Sequence, residues 1–101
     1  MRMMVFFDLP MVTKKELREY RKFRKLLITS GFYMIQESVY VKMAIDRQVI
    51  DSTANKINGF LPPKGNIMML VITEKQFASM RLLLGESKTD VLTSDDRIVV
   101  L

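Results

Sequence analysis

Residues 2–9 read RMMVFFDL, a compact run rich in Met, Val and Phe that stops at Pro10. An apolar run bounded by proline predicts a buried strand, and a buried strand obliges the rest of the chain to supply its neighbours and a covering layer. The segments that follow have the punctuation for that. Thr13-Lys14-Lys15-Glu16 matches the S/T-x-x-E capping box, so a helix is expected to start at Thr13. Leu17, Tyr20, Leu27 and Ile28 then follow helical spacing, with Phe23 at the edge of that face and Gly31 ending the helix. Residues 32–43, FYMIQESVYVKM, are strand-like, with Val39, Val41 and Met43 alternating against Tyr40 and Lys42. The polar trio Gln36-Glu37-Ser38 interrupts them, giving either two short strands or one bulged strand. A second helix is expected over residues 46–58, with Val49, Ile50, Ala54 and Ile57 inward and Gly59 at its end. Residues 62–65 form a Pro- and Gly-rich loop, and residues 66–73, NIMMLVIT, predict another buried strand.

Beyond it the pattern allows a helical turn at 74–79, a strand at 81–84 closed by Gly85, a polar loop at 86–96 and an apolar strand at 98–101. The order predicts an α+β fold, a ferredoxin-like βαββαβ sandwich with two helices on one face of an antiparallel sheet and extra C-terminal strands. One domain is expected over residues 1–101, the commonest domain size. A lone apolar edge invites intermolecular pairing, so residues 86–101 are expected to be a C-terminal loop and dimer-exchange strand of a strand-exchanged homodimer.

The chain has no Cys and no His. That excludes disulfides, zinc-thiolate sites, thiol nucleophiles, Ser-His-Asp triads and imidazole-ligated metals. Remaining chemistry rests on carboxylates, Lys, Tyr, hydroxyls or an oxygen-held metal. The longest apolar runs are too short to span a bilayer, and residues 1–20 lack a signal-peptide pattern, so no membrane association and a cytoplasmic location are expected.

The net charge of +5 is local: seven of the sixteen basic residues and two of the eleven acidic ones fall in residues 13–25, which leaves the remainder neutral. On a helical wheel Lys14, Arg18, Arg21, Lys22 and Lys25 fall together opposite the apolar residues, with Lys15 at the edge. A solvated amphipathic helix ordinarily balances its signs. This one does not, and a concentrated basic stripe points to a polyanion, first of all nucleic acid. Arg24 differs, because it lies within the apolar arc near Leu17 and Ile28. It either snorkels past the core edge, is held by a carboxylate or phosphate, or points to the strand end where Asp8 sits.

Asp8 ends the first strand. It reads either as an Asx turn leading into Leu9-Pro10 or as a Mg²⁺ ligand, since Mg²⁺ is held by one or two carboxylates plus waters and phosphate oxygens. Two Asp8 side chains across a two-fold axis could share an ion. Asp95-Asp96 reads as solvated, and the nine scattered Met residues read as core. The stretch GFYMIQESVYV lacks the basic-Gly-aromatic order of an RNA-recognition motif.

Taken in order, MVFFD at 4–8, the basic helix, Gly31, QESVY at 36–40, KGNIMMLVITEKQF at 64–77 and RIVVL at 97–101 resemble the CRISPR-associated Cas-two family, in its type II (streptococcal-like) branch, over nearly the whole chain. The resemblance implies a ferredoxin-like homodimer whose C-terminal strands cross between protomers. It implies a role in spacer acquisition, bridging two dimers of the larger CRISPR integrase subunit and supporting a captured double-stranded DNA. It also implies a metal-dependent endonuclease acting on RNA or DNA, with Asp8 as the catalytic residue and Mg²⁺ ligand. Nucleic-acid contact is implied for the helix carrying Lys14, Lys15, Arg18, Arg21, Lys22, Arg24 and Lys25. The chain departs from the family pattern in having no second carboxylate near Asp8 in sequence, and in one extra residue between Gly31 and Gln36. Binding and scaffolding therefore stand ahead of catalysis. The alternative is a ferredoxin-like RNA-binding or regulatory module without nuclease activity.

Overall fold

The computed structural model describes residues 1–85 and 99–100. The chain forms two compact units, residues 1–71 and 72–101. In the first, β1 (Arg2–Asp8), α1 (Lys14–Thr29), β2 (Tyr33–Gln36), β3 (Val39–Met43), α2 (Arg47–Asn58) and β4 (Asn66–Ile72, whose last residue begins the second unit) follow in order. They build one sheet with strand order β2-β3-β1-β4, and the β1–β3 and β2–β3 pairs are antiparallel. This is the ferredoxin-like arrangement the element order predicts. The second unit holds α3 (Glu74–Ala78), β5 (Arg81–Leu82) and β6 (Val99–Val100), with β6 pairing in parallel with β5. The polar loop expected at 86–96, Asp95-Asp96 included, lies outside the described residues.

Both helices cover the same sheet face. Met3, Val5 and Phe7, alternate residues of β1, share a buried cluster with Phe23 and Leu27 of α1, Tyr40 of β3, and Ile50 and Ile57 of α2. Phe7 is its centre: its ring lies 5.2 Å from Phe23, edge on, and 5.6 Å from Tyr40. The caps fall where the sequence puts them. Thr13 caps α1 through a full capping box, and Asp46 caps α2 by accepting from the Val49 N–H at 2.9 Å.

Three expectations need correction. The inward face of α1 centres on Phe23 and Leu27, 1% and 0% exposed, whereas Ile28 is 46% exposed. Phe23 and Leu27 lie four apart and so stack on one side of the helix, which turns Ile28 away. On β3, Tyr40 is not the outward residue: it pairs with Val5 in register and is buried, and Val41, opposite Met4, is buried on the other side. The run 66–72 is a strand but not a buried one, because β4 closes one edge of the sheet and leaves Met68, Met69, Leu70 and Val71 exposed. The interrupted segment 32–43 resolves into two strands that also carry a bulge, at Met34/Gln36.

The rotation of α1 has a measurable consequence. Phe23→Ala should cost about 3–5 kcal/mol in urea unfolding, and Ile28→Ala less than about 1 kcal/mol. Equal losses at the two positions would contradict this packing.

Candidate nucleic-acid interface and the Asp8 strand end

The start of α1 is strongly fixed. The Glu16 N–H donates to Thr13 Oγ1 at 3.1 Å, while the Thr13 and Val12 N–H groups donate to Glu16 Oε1 at 3.0 and 3.1 Å. Those backbone hydrogen bonds, Thr13 foremost, hold the Glu16 carboxyl below its ordinary pKa despite the opposing desolvation. Lys14 and Lys15 sit in the same first turn, where the helix dipole disfavours cations. Along the outward face, Lys14, Lys15, Arg18, Arg21, Lys22 and Lys25 are all exposed. None of them makes a side-chain hydrogen bond or ion pair among the described residues. The stripe read from the wheel is thus present, outward and uncompensated.

Arg24 stands apart from it. Its Nε donates to the Tyr40 hydroxyl at 2.8 Å, which ties α1 to β3. The partner is a phenol, and sequence reasoning missed it by turning Tyr40 outward. A second tie runs from the Tyr20 hydroxyl to Glu37 Oε1 at 3.2 Å, joining α1 to the β2–β3 turn. Burial, followed by the Glu37 hydrogen bond and charge, pushes the Tyr20 phenol above its ordinary pKa. The fold therefore favours the neutral phenol, and the stability this contributes is present below pH 10 and lost only as pH rises through the raised value.

Asp8 ends β1 with its side chain exposed. Two backbone devices gather groups around it. The Phe7 N–H donates to the Ser38 carbonyl at 3.1 Å, and Ser38 adopts φ 64°, an uncommon left-handed conformation for a non-glycine residue. On the other side Gly65, at φ 109°, lies so close to the end of β1 that an added Cβ would stand 2.7 Å from the Asp8 carbonyl oxygen. Asp8, Ser38 and Asn66 thereby share a shallow depression of about 190 Å³ with Phe6, Val39 and Met68. In the sequence Ser38 is visible only as part of the polar interruption at 36–38 and Gly65 only as a loop residue, since backbone angles leave no side-chain signature.

This geometry tests the metal reading. Among the described residues there is no group of three His, Cys, Asp or Glu able to hold an ion. Asp8 is one carboxylate whose polar companions in the depression, Ser38 and Asn66, are uncharged, so among the described residues of one chain it has no second carboxylate with which to hold Mg²⁺. The structure brings Asp8 and the basic stripe to neither a hydrogen bond nor an ion pair. They are joined by the short Leu9–Val12 connection, where Leu9, Thr13, Lys15 and Lys64 line a separate depression of about 210 Å³.

A ferredoxin-like sheet with an uncompensated basic helix is the class of protein these features define. The chain belongs to the Cas2 family: the family model for CRISPR associated protein Cas2 matches residues 1–80. A "CRISPR-associated endoribonuclease Cas2" of Ligilactobacillus salivarius is 46% identical over 101 residues, covering both chains in full. The protein of the same name from Treponema denticola is 48% identical, again over both full lengths. In fold, the chain is similar to the crystal structure of Streptococcus pyogenes Cas2 at pH 6.5, with a TM-score of 0.66 and 16% identity, covering 84% of this chain and 100% of that one. Among the described residues no helix is long and apolar enough to cross a membrane.

Proposed function

We propose that this protein is a duplex-binding scaffold of CRISPR spacer acquisition, acting in the cytoplasm as a homodimer. In this reading residues 1–101 work as one domain, and residues 86–101 exchange between the two copies. Each copy lays its α1 stripe along a DNA backbone, and the pair bridges two dimers of the larger CRISPR integrase subunit. The observation that carries the reading is the row of exposed cations on α1 with no acidic partner among the described residues. A second support is that Lys14 and Lys15 stand against the helix dipole, a placement that contributes nothing to the fold. Contacts of this kind position a backbone and read no bases. Lys15 and Arg24 belong to the margin of the surface, Arg24 because its Nε is engaged by Tyr40.

The relatives are named endoribonucleases, which supports a nuclease as the second reading; in it the chain is a metal-dependent endonuclease on RNA or DNA. Here Asp8 of each copy would supply one carboxylate to a Mg²⁺ shared across the two-fold axis, which brings the donor set to a pair.

The two readings separate in one comparison of the parent chain with Asp8→Asn. Scaffold function predicts duplex binding whose log affinity falls with log salt at a slope of roughly −4 to −5, as expected for five neutralised phosphates, in both proteins alike. Spacer acquisition should persist in Asp8→Asn. Acquisition lost together with cleavage would refute the scaffold reading, and a slope near zero would refute the stripe.

A further inference from the structure

The helical layer carries a second surface that the basic stripe does not account for. A groove of about 550 Å³ runs beside the C-terminal half of α1 and the segment leaving α2. Leu26, Phe60 and Leu61 form its apolar wall, Lys22, Lys25 and Lys56 surround it, and Glu19 is the acidic group that also lines it. Phe60 is 65% exposed and Leu61 is 49% exposed, and the backbone leading to Phe60 is held. The Gly59 N–H donates to the carbonyls of Asn55 and Lys56, both at 3.2 Å, and the Phe60 N–H donates to the Ile57 carbonyl at 3.0 Å. An apolar residue just past a helix end commonly folds back onto the last turn. Phe60 is instead fixed by its backbone and turned to water. Its backbone need not be ordered on binding, and exposed aromatic rings are common anchors of interfaces.

We propose that this groove docks an acidic peptide segment with apolar anchors, presented by another protein. The anchors would seat against Leu26, Phe60 and Leu61, and the carboxylates would face Lys22, Lys25 and Lys56. Charge complementarity selects this occupant: three cations against one carboxylate reject a basic or neutral segment. The volume lies within the roughly 300–1,000 Å³ of clefts that take compact ligands. A single nucleic-acid strand fits less well, because of the two lining aromatics Phe23 is buried and Phe60 alone offers a stacking face, while Leu26 and Leu61 would meet sugar and phosphate. The groove shares Lys22 and Lys25 with the α1 stripe, whereas Lys56 and Phe60 lie off α1, so substitutions at those two test the groove without disturbing the duplex-binding reading.

The test uses the full chain and a labelled amphipathic peptide with leucines on one helical face and glutamates on the other. Fluorescence anisotropy should report saturable binding that weakens at least ~10-fold in Lys56→Glu and in Phe60→Ala. Both variants should keep the parental circular dichroism spectrum and duplex affinity. Arg18→Glu combined with Arg21→Glu should do the reverse, losing the duplex and keeping the peptide. Amide shifts mapped by NMR should centre on Phe60 and Leu61. No saturable peptide binding by the parent chain would overturn the proposal. So would peptide affinity unchanged in both groove variants, equal affinity for the same peptide with lysine in place of glutamate, or shifts at Phe60 produced by oligothymidylate and not by the peptide.

Discussion

A chain carrying Arg18→Glu, Arg21→Glu and Lys22→Glu together should show no measurable duplex binding at any salt concentration where the parent binds. It should unfold within about 0.5 kcal/mol of the parent, because all three side chains are exposed and none has a hydrogen-bond or ion-pair partner among the described residues to lose. The effect on binding is large because each replacement removes a cation and adds an anion beside the phosphates. A triple replacement by glutamine removes only the cations, so it should keep weak binding with a slope reduced by about three. Gel shift or anisotropy across a salt series distinguishes the two. Parental affinity in the glutamate variant would mean that the duplex lies elsewhere.

Gly65→Ala should be the most damaging small substitution near Asp8. The backbone at φ 109° already disfavours any side chain, and the added Cβ would lie 2.5 Å from Leu9 Cδ2 as well as 2.7 Å from the Asp8 carbonyl oxygen. The leucine can turn away, but the carbonyl belongs to β1 and cannot. Strain and displacement together should cost about 2–4 kcal/mol. In a domain of this size that lowers the melting temperature by roughly 10–25 °C. A variant of unchanged melting temperature would show that β4 approaches β1 less closely.

The contrast between these two variants also explains what could be read from the sequence. The stripe was legible because cations on a helix repeat at a fixed angle, and the helix bounds were legible because Thr13, Asp46 and Gly31 each carry a local chemical reason to be there. Asp8 stood out because a lone carboxylate closes an apolar run. What escaped depends on partners distant in sequence. Tyr40 was placed outward because β3 alternates plausibly in either phase, and only its pairing with Val5 decides between them. The exposure of β4 escaped because an edge strand and a central strand read alike until the strand order is known. The groove around Phe60 escaped because an isolated exposed phenylalanine means nothing before its neighbours are placed.

The two margins of the sheet are unlike, and that difference limits what the molecule can assemble. β2 is four residues long and carries the bulge at Met34/Gln36, whereas β4 is seven residues long, with exposed Met68, Met69, Leu70 and Val71. Short, bulged borders resist further hydrogen bonding, and long apolar ones invite it. Among the described residues the sheet thus offers one border suited to further pairing, a bonding valence of one in its plane. Units of valence one can only close in pairs, while units of valence two polymerise into fibrils. The bulge on β2 is what keeps the sheet from presenting two open borders, the condition for growing into a filament.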